Sequence, residues 1–234
     1  MTLCLYPAEA GMCVYELKHT DILYSRTVAE SVCKDSSSVL SFLFCLQLIY
    51  KDLLISTKMA RNLLKNPNGD EDMEFWELTE NGGNEWRVED MPGDCGHEIG
   101  IEGVNKYFST SFELCLKTQV IDLVAEGYAP EDLDNQPTVT IEDWYSGRTD
   151  CGCMYLLTVR LLDENKEMLS EYKPEPVILD PDTEDCLWKQ VTHTLSDYGP
   201  GLRFISFEHG GKDTKYWDGW FGVRVTGSYV AIDL

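Results

Sequence analysis

From Asn62 onward, short aromatic and β-branched runs alternate with clusters of Gly, Asn, Asp and Pro, and this rhythm restricts the fold more than any other feature. Runs this short cannot sustain an amphipathic helix, but they suit strands that end in turns. The sequence predicts strands at Phe75–Thr79, Trp86–Glu89, Phe112–Lys117, Gln119–Asp122, Thr138–Tyr145, Met154–Leu162, Met168–Tyr172, Trp188–Leu195, Leu202–His209, Trp220–Thr226 and Tyr229–Ile232. Asn81-Gly82-Gly83-Asn84 supplies a turn whose residues tolerate positive φ, and Asp163-Glu164-Asn165-Lys166 marks the clearest hairpin. Pro92 offers no N–H and interrupts any ladder at Met91–Asp94. In Leu202–His209 both faces carry aromatics, which places the strand in the middle of a sheet. Within Val120–Leu133, Gly127 and Pro130 leave room for a strand, a turn and at most one helical turn. The expected fold is all-β, an antiparallel two-sheet sandwich of the jelly-roll, galactose-binding-like type.

Charge changes where the rhythm begins. Residues 1–61 hold six basic and six acidic side chains, so residues 62–234 carry the whole net charge of −22. A domain this acidic repels phosphate backbones and anionic lipid, which argues against nucleic acid or a membrane surface as partner. Upstream, Val39–Leu54 reads as a helix from its Leu and Phe content. Its apolar core, Val39–Tyr50, is shorter than the ~20 residues a bilayer crossing requires, so no membrane-spanning segment is expected. The opening residues lack the basic and apolar regions of a secretory leader. The division is therefore a short helical or poorly ordered extension over 1–61 and one domain over 62–234. Nine cysteines at irregular spacing fit neither a disulfide framework nor a zinc site, and Cys151-Gly152-Cys153 has the wrong gap. Buried free thiols imply a reducing compartment and a cytoplasmic location.

Nothing in the chain suggests catalysis. Activated nucleophiles need an oriented base, yet His19, His97, His193 and His209 are scattered and no Gly-x-Ser-x-Gly turn is present. His193 reads as structural, and His209-Gly210-Gly211 reads as a turn. No phosphate loop or dinucleotide motif occurs, so no cofactor and no metal are expected. The aromatics say more. Tyr216-Trp217-Asp218-Gly219-Trp220-Phe221 holds four rings in six residues, and neighbours in a strand point to opposite faces. Tyr216 and Trp217 therefore cannot both be core, and at least one ring should be exposed. An exposed rigid ring is the usual platform for the apolar face of a sugar. Trp220 reads as a plug at the end of the sandwich, and Asp143–Arg148 as a structural aromatic turn.

Several segments, in this order, carry a resemblance: Asn62–Pro67, Trp86–Glu89, Pro92–Asp94, Lys106–Phe108, Gln119–Leu123, Asp143–Arg148, Asp197–Gly201, Phe207–Gly211 and Tyr216–Gly222. Together they resemble the F-box-associated domain, the C-terminal domain of the sugar-recognising F-box only proteins. The resemblance implies a jelly-roll-like sandwich that binds the chitobiose core of high-mannose N-glycans and presents glycoproteins to a Skp1–cullin ubiquitin ligase in glycoprotein quality control. It implies a pocket of an aromatic pair followed by Lys, with a Phe from an earlier strand. The pair falls on Tyr216 and Trp217, the Phe on Phe112 or Phe108, and the Lys position on Asp218. An acceptor-only anion in place of a donor-only cation reverses the polarity of that contact. Residues 1–61 show no recognisable F-box, although Val39–Leu54 stands where its last helix would. Within the family the chain looks most like receptor-like members described on the surface of cytotoxic cells. The alternatives to glycoprotein recognition are thus a target-cell receptor or a protein-binding module without sugar binding.

Overall fold

The computed structural model describes residues 61–183 and 185–234. The described residues contain eleven strands and one short helix. The strands are β1 (Glu77–Asn81), β2 (Arg87–Asp90), β3 (Lys106–Ser109), β4 (Cys115–Asp122), β5 (Thr138–Ser146) and β6 (Cys153–Leu162), then β7 (Met168–Tyr172), β8 (Val177–Leu179), β9 (Lys189–Leu195), β10 (Phe204–Asp213) and β11 (Arg224–Asp233). The helix α1 is Pro130–Asp134, one turn with Pro at its start, as Gly127 and Pro130 require.

Two antiparallel sheets face each other. One runs β1-β4-β10-β6-β7, with β8 also paired to β6; the other runs β2-β3-β11-β5-β9. Neighbours are mostly far apart in sequence, which gives the two-sheet sandwich expected above. The alternation in each central strand explains the core. Cys153, Tyr155, Leu157, Val159 and Leu161 of β6 point inward, as do Ile205, Phe207 and His209 of β10, and Val139, Ile141, Asp143 and Tyr145 of β5. Strand β10 lies between β4 and β6 with its rings on both faces, which is the placement its pattern predicts.

Several expectations change. Phe112–Lys117 and Gln119–Asp122 form one strand, β4, which begins only at Cys115. Trp220–Val223 lies outside β11, and Tyr229–Ile232 continues the same strand past a bulge between Thr226 and Tyr229. Strands β3 and β8 carried no strand signal strong enough to single out. The turn Asn81–Asn84 passes from one sheet to the other, because β1 pairs with β4 whereas β2 pairs with β3. The largest correction concerns His209-Gly210-Gly211, which is not a turn but the middle of β10. A Cβ on Gly210 would collide with the carbonyl oxygen of Cys115, and one on Gly211 with that of Met154. The pair is needed because β10 runs tightly between two neighbours, not because the chain reverses.

A buried polar cluster joins the sheets. Asp143 accepts from the Tyr155 hydroxyl at 2.6 Å and the Ser228 hydroxyl at 2.7 Å, and its Oδ2 lies 2.6 Å from His209 Nδ1. His209 stacks on Trp76, with ring centroids 5.1 Å apart. Its cross-strand neighbour Lys117 places Nζ 3.1 Å from the Trp76 centroid and 3.6 Å from that of Phe108. Burial pushes the Lys117 amine well below the usual lysine range against the pull of Asp143. Burial also lowers His209, again with Asp143 opposing.

Val39–Leu54 and the proposed F-box remnant lie outside the described residues. Among the described residues no helix is long and apolar enough to cross a membrane. Of the five described cysteines, Cys115, Cys151, Cys153 and Cys186 are buried, Cys95 is exposed, and none is in a disulfide.

Candidate carbohydrate platform

Three loops meet at one end of the sandwich: residues 82–86 between β1 and β2, residues 110–114 between β3 and β4, and residues 214–223 between β10 and β11. The third carries Tyr216 and Trp217, which are 65% and 44% exposed. Strand alternation predicts this exposure, but the chain here is a loop. Both rings are in solvent for a different reason. The buried carboxylate of Asp213, the last residue of β10, accepts the Tyr216 N–H at 2.6 Å and the Trp217 N–H at 2.9 Å. These two bonds turn the backbone outward, with Tyr216 at a φ of +61°.

Phe112 flanks the Tyr216 ring edge to face, centroids 4.9 Å apart, and is half-buried in the second loop. The neighbouring Glu113 accepts from the Tyr216 hydroxyl at 2.8 Å and from the Gly83 N–H at 3.1 Å. The Tyr216 bond, followed by the Gly83 bond, holds the Glu113 carboxyl below its ordinary value, and the same carboxylate raises the Tyr216 phenol. Asn84 accepts the Gly219 N–H at 2.7 Å, and the Ser111 hydroxyl donates to the Gly219 carbonyl at 2.9 Å. All three loops are thereby tied into one unit.

The far side is bounded by Phe221, edge-on to Trp217 at 5.4 Å, and by the Arg148 guanidinium over Phe221 at 4.5 Å. Arg148 is itself held by Asp150 through two bonds of 2.7 and 2.8 Å. Trp220 donates to the Glu85 carbonyl at 3.1 Å and lies under the Arg87 guanidinium, so it closes the loop cluster. Asp218 is exposed and makes no hydrogen bond with the described residues. Phe108, named with Phe112 for the pocket wall, is 0% exposed and sits in the core against Trp76 and Trp86. A side chain enclosed by two indoles and an amine cannot wall a surface site, so Phe112 alone is placed for that role.

The arrangement offers two adjacent aromatic surfaces, a third ring beside them, and carboxylate and amide acceptors around the edge. It can stack against a planar or weakly polar face and hydrogen-bond its rim. Asp213, Glu113, Ser111 and Asn84 escaped the sequence reading. A carboxylate one residue before a Thr-Lys-aromatic segment was the available signal for Asp213. Removing it with Asp213→Ala should speed amide exchange at Tyr216 and Trp217 at least about tenfold, since a hydrogen bond to a charged acceptor contributes about 1.5–3 kcal/mol. Hydrogen–deuterium exchange on the full chain measures this, and unchanged exchange would mean that another contact fixes the loop. Among the described residues no group of His, Cys, Asp and Glu could hold a metal ion.

The family model for the F-box associated region matches residues 54–232. F-box only protein 2 of Bos taurus is 55% identical over 179 residues, covering 76% of this chain and 60% of the relative. F-box only protein 6 of Mus musculus is 45% identical over 184 residues, covering 78% and 62%. The chain thus spans about three fifths of the length of either relative. Among solved structures, TmCBM61 in complex with β-1,4-galactotriose has a TM-score of 0.46 and 14% identity, covering 74% of this chain and 99% of that one. With a match across three quarters of its length and relatives near half identical, the chain belongs to the F-box associated family.

Proposed function

We propose that the chain is a non-enzymatic substrate receptor that recognises N-glycosylated proteins, through the chitobiose core of high-mannose glycans, for a Skp1–cullin ubiquitin ligase in cytoplasmic glycoprotein quality control. The observation that carries the reading is the exposed pair Tyr216–Trp217, held outward by Asp213 with Phe112 beside it. A sugar ring stacked there would leave its hydroxyls to the acceptors of the surrounding loops. Asp218 stands where the family resemblance implies a lysine, and an acceptor in place of a donor weakens, alters or abolishes that sugar contact.

A glycan array on the full chain tests the reading. Tyr216→Ala and Trp217→Ala should each weaken binding about tenfold, in line with the ~1.5 kcal/mol that a stacked aromatic contributes. Asp218→Lys should strengthen it. A wild-type chain that binds no N-glycan at high protein concentration overturns the glycan reading and leaves a protein-binding module or a target-cell receptor. Surface labelling of intact cytotoxic cells separates those, because a cytoplasmic receptor is not labelled. A Skp1 pull-down beside the array tests the ligase connection, which rests on residues outside those described.

A further inference from the structure

A groove of about 340 Å³ crosses the outer face of the β2-β3-β11-β5-β9 sheet, away from the loop cluster. Antiparallel register assembles it. Trp144 of β5 lies directly opposite Gln190 of edge strand β9, and Glu142 lies opposite Tyr229 of β11, so four outward side chains form one patch. Position 227 leaves room for the indole beside the bulge. The bulge in β11 puts Gly227 at a φ of +62°, and a Cβ there would stand 3.0 Å from Trp144 Cδ1. A side chain at 227 would press on the pyrrole edge of the indole, so the glycine lets Trp144 line the groove. Asn68 fixes the bulge by accepting the Gly227 N–H at 3.2 Å. One wall is Ile101, 36% exposed.

The polar groups are few and convergent. Gln190 Nε2 donates to Glu142 Oε2 at 2.7 Å, which orients both side chains and leaves Glu142 Oε1 and Gln190 Oε1 as acceptors. The Trp144 indole N–H makes no hydrogen bond with the described residues and is a donor. The Asn68 amide supplies a second donor. No lysine or arginine lines the groove, and the domain carries −22, so anionic ligands are excluded. An apolar ring face bordered by both acceptors and donors, without a cation, matches a neutral polyhydroxylated ring.

We infer that this groove is a second saccharide-binding site, in which the Trp144 indole stacks on a neutral sugar ring while Glu142 and Gln190 take its hydroxyls. It is separate from the Tyr216–Trp217 platform and does not depend on the function proposed for that platform. A glycan with several branches would thus have two places to touch the domain.

Indole N–H resonances of the full-length protein, followed during titration with mannotriose, chitobiose and a high-mannose oligosaccharide, test the inference. The decisive sample is the Tyr216→Ala/Trp217→Ala double variant, in which the loop platform is removed. There the Trp144 indole resonance should still move, with saturation at millimolar sugar. Adding Trp144→Ala should abolish the remaining binding. Gln190→Ala, on an exposed edge-strand position far from the core, should weaken it severalfold while the fold stays intact. No movement of the Trp144 resonance with any of the three sugars overturns the inference, as does a response to an oligolysine peptide alone. Failure of the platform with survival of the groove, or the reverse, is read directly from the two sets of variants.

Discussion

Asp143→Ala should cost the domain about 3–5 kcal/mol of stability, a large share of the 5–15 kcal/mol that holds a typical domain together. The expectation follows from what the carboxylate serves. Tyr155, Ser228 and His209 come from β6, β11 and β10, and all three direct a polar atom at Asp143 from within the sandwich. Alanine would leave each without its partner where no water reaches, and each such loss costs about 1–3 kcal/mol. It would also remove the negative charge that favours a proton on buried Lys117. Urea denaturation followed by tryptophan fluorescence measures the loss as a shift in midpoint. Asp143→Asn, which keeps an acceptor, should lose less. If the alanine variant matches wild type, the cluster is incidental to stability. The wild type should also weaken in mild acid. His209 is held below its ordinary value by burial, so the unfolded chain takes up a proton first. Its contribution is complete above the unfolded histidine value of about 6.5 and declines as pH falls below it towards the folded value.

Gly211→Ala should be more damaging, with no stable folded protein or a loss above about 4 kcal/mol. Two separate costs combine. The φ of +153° is one that L side chains seldom adopt, and the new methyl would press on the Met154 carbonyl and the Val223 side chain. Neither neighbour can yield easily, because Met154 belongs to β6 and is paired in register with Lys212 of the same central strand. The site loop follows this strand by a few residues, so any surviving fold should also misplace Tyr216 and Trp217. Soluble yield, thermal midpoint and near-ultraviolet circular dichroism report the outcome. A variant that folds with wild-type midpoint would show that β10 can move away from β6 without consequence.

The sequence disclosed the fold where each strand carried its own pattern. Strand β10 alternates in a way that only a central strand explains, and the β6–β7 hairpin is bounded by an unmistakable turn. It misled where the cause lay in another strand. Two consecutive glycines look the same whether they permit a reversal or admit a neighbouring carbonyl, and the difference resides in Cys115 and Met154, far away in the chain. For the same reason Asp143, His209 and Lys117 could not be recognised as one cluster: their partners are 66 residues apart or lie across a sheet. The site was half legible. Four rings in six residues announce an exposed platform, but Asp213 and Glu113 do their work through loop contacts that no spacing reveals. Phe108 and Phe112 lie four residues apart, one inside β3 and the other in the loop before β4. Only the packing of Trp76 and Trp86 separates a core ring from a surface one.

The position of β11 has a further consequence for how the molecule is made. This strand comes last among the eleven, yet it fills the centre of its sheet, with β3 on one side and β5 on the other, and Leu63 bonds to its Val230 carbonyl. During synthesis the earlier half of that sheet must wait, edges unmatched, until the ribosome has released the closing segment. Folding should therefore be a late and concerted event dominated by distant pairings, and slow on the scale of small domains. A chain stalled before residue 224 should be a ready client for chaperones.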